Sequence, residues 1–214
     1  MKLLLDKGAD VNAQGGKYGN ALQAASNGGN HTIVKLLMEK VADMNVQGGK
    51  YGHALQAASY RGHEEIIKLL LGEGVDVNAQ GGKYGNALQA ASNKGHYTIV
   101  MLLIEKGADV NVQGGEYGNA LQAASYGGHE TIAQLLMHKG AYVNAQGGEY
   151  GNALQAASAG GHQMFDRLLM EKWGNGHEVI VNLLLDKGAD VNAQGGKHRN
   201  ALQAGAIAES QSCC

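Results

Sequence analysis

The sequence has no proline, and its 2 cysteines are the last two residues, Cys213 and Cys214. With no cysteine earlier in the chain, neither a disulfide framework nor a CxxC metal site is available. Charge of one sign is also missing: 17 basic residues face 19 acidic ones, a formal net charge of −2. No domain-wide basic surface exists to neutralise a phosphate backbone, which argues against nucleic acid as a partner. No apolar run is long enough to cross a bilayer, so no membrane partner is expected. Met1 and Lys2 lead into a short leucine run without a signal-peptide core or cleavage site, and the protein is read as intracellular and cytoplasmic. Aromatic residues are few and skewed, with 9 Tyr against one Phe and one Trp, beside 34 Gly. Such a skew is what one local composition produces when a repeated unit multiplies it.

The repeat is visible directly. Tyr18, Tyr51, Tyr84, Tyr117 and Tyr150 recur every 33 residues, inside near-copies of Gln-Gly-Gly-(Lys/Glu)-Tyr-Gly-(Asn/His)-Ala-Leu-Gln-Ala-Ala-Ser. Between copies run segments such as Gly62-His63-Glu64-Glu65-Ile66-Ile67-Lys68-Leu69-Leu70-Leu71, followed by Gly74-Val75-Asp76-Val77-Asn78. Asn20 is a strong N-cap for a short inner helix over 20–27, and Gly28-Gly29 ends it. Ile33, Val34, Leu36 and Leu37 share one face of an outer helix over 31–40. The stretch from Ala42 to Gly52 is turn-like. One such unit cannot bury its own apolar face, so neighbours must stack.

Period and wording together resemble ankyrin repeats. The resemblance implies an all-α ankyrin-repeat solenoid of stacked helix-turn-helix units with β-turn fingers. It also implies a protein–protein interaction module whose partner lies in the concave groove of fingers and inner helices. Where ankyrins usually carry Thr-Pro-Leu-His, this chain has Asn20-Ala21-Leu22-Gln23, with His53 in place of Asn in the second copy. The finger glycine of the family is replaced by Tyr18 and its equivalents, moving the positive-φ position to Gly19. This wording is similar to the ankyrin tails of fungal NACHT-type sensor proteins.

Chemical motifs do not develop into sites. His63-Glu64, His129-Glu130 and His177-Glu178 could open an HExxH zinc motif, but Ile67, Ala133 and Val181 stand where the second histidine is needed. By the resemblance, these histidines follow the inter-helix glycine and bond to backbone. The glycine pairs lack the Gly-Lys-Ser/Thr of a phosphate loop, and the recurring Asp-x-Asn lacks the terminal Glu of a calcium loop. No nucleophile, base and acid converge on one pocket, so no enzyme, cofactor, metal or small-molecule substrate is expected.

Positions that vary among the copies are the candidates for partner binding. The finger reads Lys17, Lys50, Lys83, Glu116, Glu149, Lys197, and the inner helix ends in Asn27, Tyr60, Asn93, Tyr126, Ala159, then Gly28, Arg61, Lys94, Gly127, Gly160. By resemblance these positions face the groove, and the expected contacts are Lys50, Tyr60, Arg61, Lys83, Lys94, Glu116, Tyr126 and Glu149. A basic half followed by an acidic half would orient a partner of opposite polarity. The competing explanation is drift of exposed positions, since the outer helices vary too, at Lys35, Lys68, Met101 and Gln134. For the five recurrent tyrosines a packing ladder competes with an interface role. A structural spacer without a specific partner is the alternative function.

The register breaks once. His198 follows Tyr150 by 48 residues, 15 more than one period and 18 fewer than two. The expectation is a lost finger and inner helix, with two outer-type helices in succession through Trp173-Gly174-Asn175-Gly176. Ile180, Leu183, Leu184 and Leu185 would then lack an inner partner. Either the second helix shifts inward to cover the fifth repeat, with Trp173 filling the gap, or an apolar groove stays open; the shift is favoured, with stability lowest from about Trp173 onward. The chain thus divides into a stack over 1–174, further partial units over 175–204, and an irregular tail over 205–214. Incomplete first and last units suggest one segment of a longer repeat protein.

Overall fold

The computed structural model describes residues 1–160 and 176–211. Twelve helices lie among them: α1 Lys2–Asp6, α2 Ala21–Asn27, α3 His31–Glu39, α4 Ala54–Arg61, α5 Glu64–Gly72, α6 Ala87–Lys94, α7 Tyr97–Glu105, α8 Ala120–Tyr126, α9 Glu130–His138, α10 Ala153–Gly160, α11 Gly176–Asp186 and α12 Ala201–Gln211. The only β-pairing among the described residues is isolated bridges within fingers, such as Gly48 with Gly52. This is the expected all-α solenoid.

Local chemistry starts each inner helix. The Asn20 side chain accepts a hydrogen bond from the Gln23 backbone N–H at 2.8 Å, and the Gln23 side chain accepts from the Asn20 N–H at 2.9 Å. This reciprocal cap recurs at Asn119 with Gln122 and at Asn152 with Gln155. It satisfies two amides that a helix start otherwise leaves free. His53 makes no such cap.

Two cores run the length of the stack. The larger lies between helix layers, where Leu55, Ala58, Ile66, Ile67 and Leu70 are buried in the second unit and their equivalents in its neighbours. The smaller lies under the fingers and is built from Tyr51, Tyr84, Tyr117 and Tyr150 with Ala57, Ala90, Ala123 and Ala156. The adjacent alanines of Ala-Leu-Gln-Ala-Ala therefore serve different cores. Their small side chains let inner helices pack closely on one side and accept a tyrosine ring on the other.

Gln at the third position of the inner helix ties units together. Gln23 Nε2 donates to the Val46 and Gly52 carbonyls at 2.9 and 2.7 Å, and Gln122 does the same with Ala145 and Gly151 at 3.1 and 2.8 Å. Each such glutamine is buried and anchors the next finger.

At the register break the second helix covers the fifth repeat, as favoured, but as an ordinary outer helix and not as one left without an inner partner. Helix α11 packs on α10 as its outer helix, and Ile180 and Leu184 are fully buried against the inter-layer core. Ile180 and Leu184 thus have an inner partner. Gln155 Nε2 reaches Ala193 and Arg199, 38 and 44 positions away, where Gln122 reaches Ala145 and Gly151, 23 and 29 away. Both offsets grow by 15, so the stack proceeds as though 15 residues were absent. Two segments could supply the outer helix of this unit, and the second does so. The candidate first segment, 168–172, Trp173 and the expected boundary after 174 lie outside the described residues. Some apolar surface also stays open beside this unit: Leu154, Val181, Leu185, Val191 and Leu202 line a shallow groove of about 360 Å³. Helix α12 continues to Gln211 rather than giving way to an irregular tail at Gly205. One helical glycine costs only about 1 kcal/mol, too little to stop the alanine-rich sequence around it.

Candidate functional site

The fingers are joined in single file along one face. Lys50 N–H donates to the Lys17 carbonyl at 2.9 Å, Lys83 to Lys50 at 2.9 Å and Glu116 to Lys83 at 2.8 Å. Glu149 continues to Glu116 at 2.6 Å and Lys197 to Glu149 at 2.8 Å. The ladder needs glycine beside it: Gly82 has φ +63°, and a Cβ there would collide with the Tyr51 backbone. Backbone bonds thus set the spacing of the varying finger residues, whatever their side chains are.

The recurrent tyrosines stack behind this ladder. Ring centroids lie 6.4 Å apart for Tyr18–Tyr51, 5.9 Å for Tyr51–Tyr84, 6.4 Å for Tyr84–Tyr117 and 5.9 Å for Tyr117–Tyr150, with interplanar angles of 6–21°. The packing ladder is what the structure contains, and four of these five rings are buried. Burial pushes the Tyr84, Tyr117 and Tyr150 hydroxyls well above the usual phenol range, so they stay neutral.

Tyr60 and Tyr126 enter this ladder from the inner helices. Tyr60 lies 5.4 Å from Tyr51 and 4.5 Å from Tyr84, tilted to both. Tyr126 lies 5.2 Å from Tyr117 and 4.5 Å from Tyr150. Both are half-buried, with one side packed and the other open to the groove. Burial alone would raise the Tyr60 pKa, but hydrogen bonding with Tyr84 and the neighbouring Lys94 ammonium outweigh it and lower it.

Seven of the eight expected contact residues line one groove of about 760 Å³. Lys50, Lys83, Glu116 and Glu149 come from the fingers, and Tyr60, Lys94 and Tyr126 from the inner helices. Arg61 stands outside this lining: its Nε donates to Asn27 Oδ1 at 3.0 Å and its guanidinium lies 5.8 Å from the Tyr60 ring. Asn93, Gly127 and Gly160, which belong to the varying positions but not to the eight expected contacts, also line the groove, as do His129 and His177, read from the sequence only as turn residues. Lys197 belongs to it too, and its place in the finger series was the available signal.

The charge pattern is not the basic half and acidic half that the residue order suggests. Glu116 pairs with Lys83 at 2.8 Å, and Glu149 with Lys197 at 2.6 Å. Both acids are neutralised inside the ladder because neighbouring fingers hold their side chains within ion-pair reach. Lys50 lies 5.8 Å from the Tyr84 ring and Lys94 4.8 Å from the Tyr60 ring. The net polarity is therefore basic at the Lys50–Lys94 end and balanced at the other.

The turn histidines are structural. His63, His96, His129 and His177 each donate from Nε2 to a carbonyl at the end of the inner helix of the unit before their own, at 3.0–3.2 Å. Among the described residues no group of three or more His, Cys, Asp or Glu could hold a metal ion.

Comparison with known families returns one architecture. A model described as ankyrin repeats (3 copies) matches residues 1–81 and 81–147, and one for the ankyrin repeat matches 173–196. Among curated proteins no match is found.

Proposed function

The chain belongs to the ankyrin-repeat family, whose arrays are protein–protein interaction modules, and from that premise we propose that its partner lies along the groove lined by Lys50, Tyr60, Lys83, Lys94, Glu116, Tyr126 and Glu149, with Arg61 at the rim. The observation that carries this reading is convergence. Residues that differ between copies, at positions the resemblance puts in the groove, come from four units, and all but one line a single groove. Residues that recur unchanged, the ladder tyrosines and the cap glutamines, are occupied with holding the stack. Outer-helix positions such as Lys68 and Gln134 vary as well, so the reading rests on the meeting of these side chains in one groove and not on variation alone. Tyrosine suits such a face because it buries area while keeping a polar handle.

On this reading the protein is a binding array without catalytic activity, cofactor or small-molecule substrate, and it works in the cytoplasm. No helix among the described residues is long and apolar enough to cross a membrane. The Gly-Gly-x-Tyr-Gly-Asn-Ala-Leu-Gln-Ala-Ala wording supports a place in the recognition arm of a larger sensor resembling the fungal NACHT-type proteins. An in-frame nucleotide-binding domain encoded upstream of Met1 is the observation to seek.

The binding test is truncation. Tyr60→Ala or Tyr126→Ala should weaken a captured partner by about 2 kcal/mol, as loss of an interface anchor does. If Tyr60→Ala, Arg61→Ala and Tyr126→Ala together leave affinity unchanged, the groove is not the binding face and the spacer reading takes its place.

A further inference from the structure

The groove contains one aromatic arrangement twice, with different charges around it. Tyr60 sits against Tyr51 and Tyr84, and Tyr126 sits in the same way against Tyr117 and Tyr150, two repeats on. Around Tyr126 the places of Arg61 and Lys94 are taken by Gly127 and Gly160, and the places of Lys50 and Lys83 by Glu116 and Glu149. Those two acids are paired with Lys83 and Lys197. Around Tyr60 the cations remain: Lys94 Nζ is 4.8 Å from the Tyr60 ring centroid, Arg61 Cζ is 5.8 Å from it, and Lys50 Nζ is 5.8 Å from that of Tyr84.

We propose that the Tyr60 half of this groove receives a carboxylate of an extended acidic peptide segment, seated between Lys50 and Lys94 over the Tyr60 ring, while the uncharged residues that follow lie over Gly127 and Gly160. This rests on the groove being the binding face and adds the chemistry of the partner. Lys50 and Lys94 are exposed, and among the described residues neither is in an ion pair. Beside its hydrogen bond to the Tyr60 hydroxyl, the Lys94 ammonium keeps further N–H groups for an incoming anion, and the ring screens it from competing contacts on one side. Against its burial the Tyr60 pKa is lowered first by hydrogen bonding with Tyr84 and then by Lys94 and Lys50, and the lysine contributions reflect the same positive potential. In the Tyr126 half Glu116 and Glu149 are paired, and Gly127 and Gly160 line the groove without side chains, closely packed on the backbone and histidines beneath them, which suits uncharged partner residues. A polyanion such as nucleic acid fits less well. Beyond Lys94 its phosphates would have to compete with the pairs that Glu116 and Glu149 make to Lys83 and Lys197, and the ladder rings are buried behind the fingers, where bases cannot stack on them.

The test selects a display library of random linear twelve-residue peptides on the full chain and measures the winners by fluorescence anisotropy. Targets are the unaltered chain, Lys50→Gln with Lys94→Gln, Lys50→Glu with Lys94→Glu, and Tyr60→Ala with Tyr126→Ala, each checked by thermal melting. Winners should be enriched in Asp and Glu, bind about fivefold more weakly to the double Gln variant, and weaken as salt is raised. Selection on the double Glu variant should lose the acidic bias. No enrichment, winners without an acidic excess, or indifference to Lys50 and Lys94 overturns the proposal. A random single-stranded oligonucleotide that displaces the winners overturns it as well. Winners that need Tyr60 and Tyr126 but not the lysines remove the carboxylate subsite and leave the groove reading standing. Winners indifferent to both remove the groove reading as well.

Discussion

His177 Nε2 donates to the Tyr126 carbonyl at 3.1 Å across 51 positions, whereas His63, His96 and His129 make the same bond across 36. The difference is 15. The finger bond from Lys197 to Glu149 spans 48 positions, against 33 for each earlier one. These contacts between described residues on either side of this point are displaced by the same amount, so the array treats 15 residues as additional to an otherwise regular stack.

Deleting 161–175 should therefore leave the fold intact. The junction would read Ala159-Gly160-Gly176-His177-Glu178, matching Tyr126-Gly127-Gly128-His129-Glu130. Shortening a connection recovers loop-closure entropy, so stability should be unchanged or higher by up to about 2 kcal/mol. Hydrogen exchange is the measurement. Amides in 178–187 should be protected as well as those in 64–72, and loss of that protection would show that the deleted residues are needed for stacking.

His53→Asn should stabilise the protein. His53 makes no cap, and both of its ring nitrogens are buried without a hydrogen-bond partner. At the equivalent position Asn86 accepts from the Gln89 N–H at 2.9 Å. Restoring the cap is worth about 1 kcal/mol, readable as a higher denaturant midpoint with an unchanged slope. An unchanged midpoint would mean that the histidine is held by interactions equal to the lost cap.

Acid should weaken the array before any carboxylate titrates. Burial lowers the pKa of His53 and His129 below 6.5, opposed at His53 by Asp76 and at His129 by its bond to Asn93. As pH falls through 6.5 the unfolded chain takes up these protons first, so the stability is fully present above 6.5 and declines below it. Melting temperature should fall between pH 7.5 and 5.5. The fall should be smaller in His53→Asn, and an equal fall in both proteins would remove His53 from the explanation.

Two side chains sit where the stack wants glycine. Val41 has φ +62° and Arg199 φ +63°, at the places held elsewhere by Gly74 with φ +82° and Gly151 with φ +91°. A β-branched residue is the worse fit to this conformation, and Val41 is also 80% exposed, so it offers little packing in return. Val41→Gly should raise stability by about 1 kcal/mol and Arg199→Gly by somewhat less, because glycine also loses more entropy on folding. Chemical denaturation of the two single variants ranks them; a loss of stability in Val41→Gly would mean that its side chain packs more than its exposure indicates.

Much of this was legible in the chain. Helices over 20–27 and 31–40 are found as Ala21–Asn27 and His31–Glu39, because Asn20 and the glycines after Asn27 act locally. The expected turn role of His63 and its equivalents needed only the repeated Gly-His. Gln23 was harder to read: its caps are local, but its bonds to Val46 and Gly52 exist only when the next unit stacks. Polarity was misjudged for a related reason. The order Lys50, Lys83, Glu116, Glu149 says nothing about which side chains meet, and the ladder brings Glu116 to Lys83 and Glu149 to Lys197.

What the sequence by itself determined is the unit: its period, its caps, its two helices, its glycine turns and the positions at which copies differ. These follow from interactions over a few residues, and repetition makes them certain by stating them five times. What only the tertiary structure decided is which unit meets which. Two segments, one ending near Lys172 and one starting at Gly176, carry the same outer-helix pattern, and both could cover the apolar face of α10. Local rules cannot choose between equivalent candidates. The choice is made by the neighbours, because only the second brings His177 to Tyr126 and Lys197 to Glu149 while burying Ile180 and Leu184.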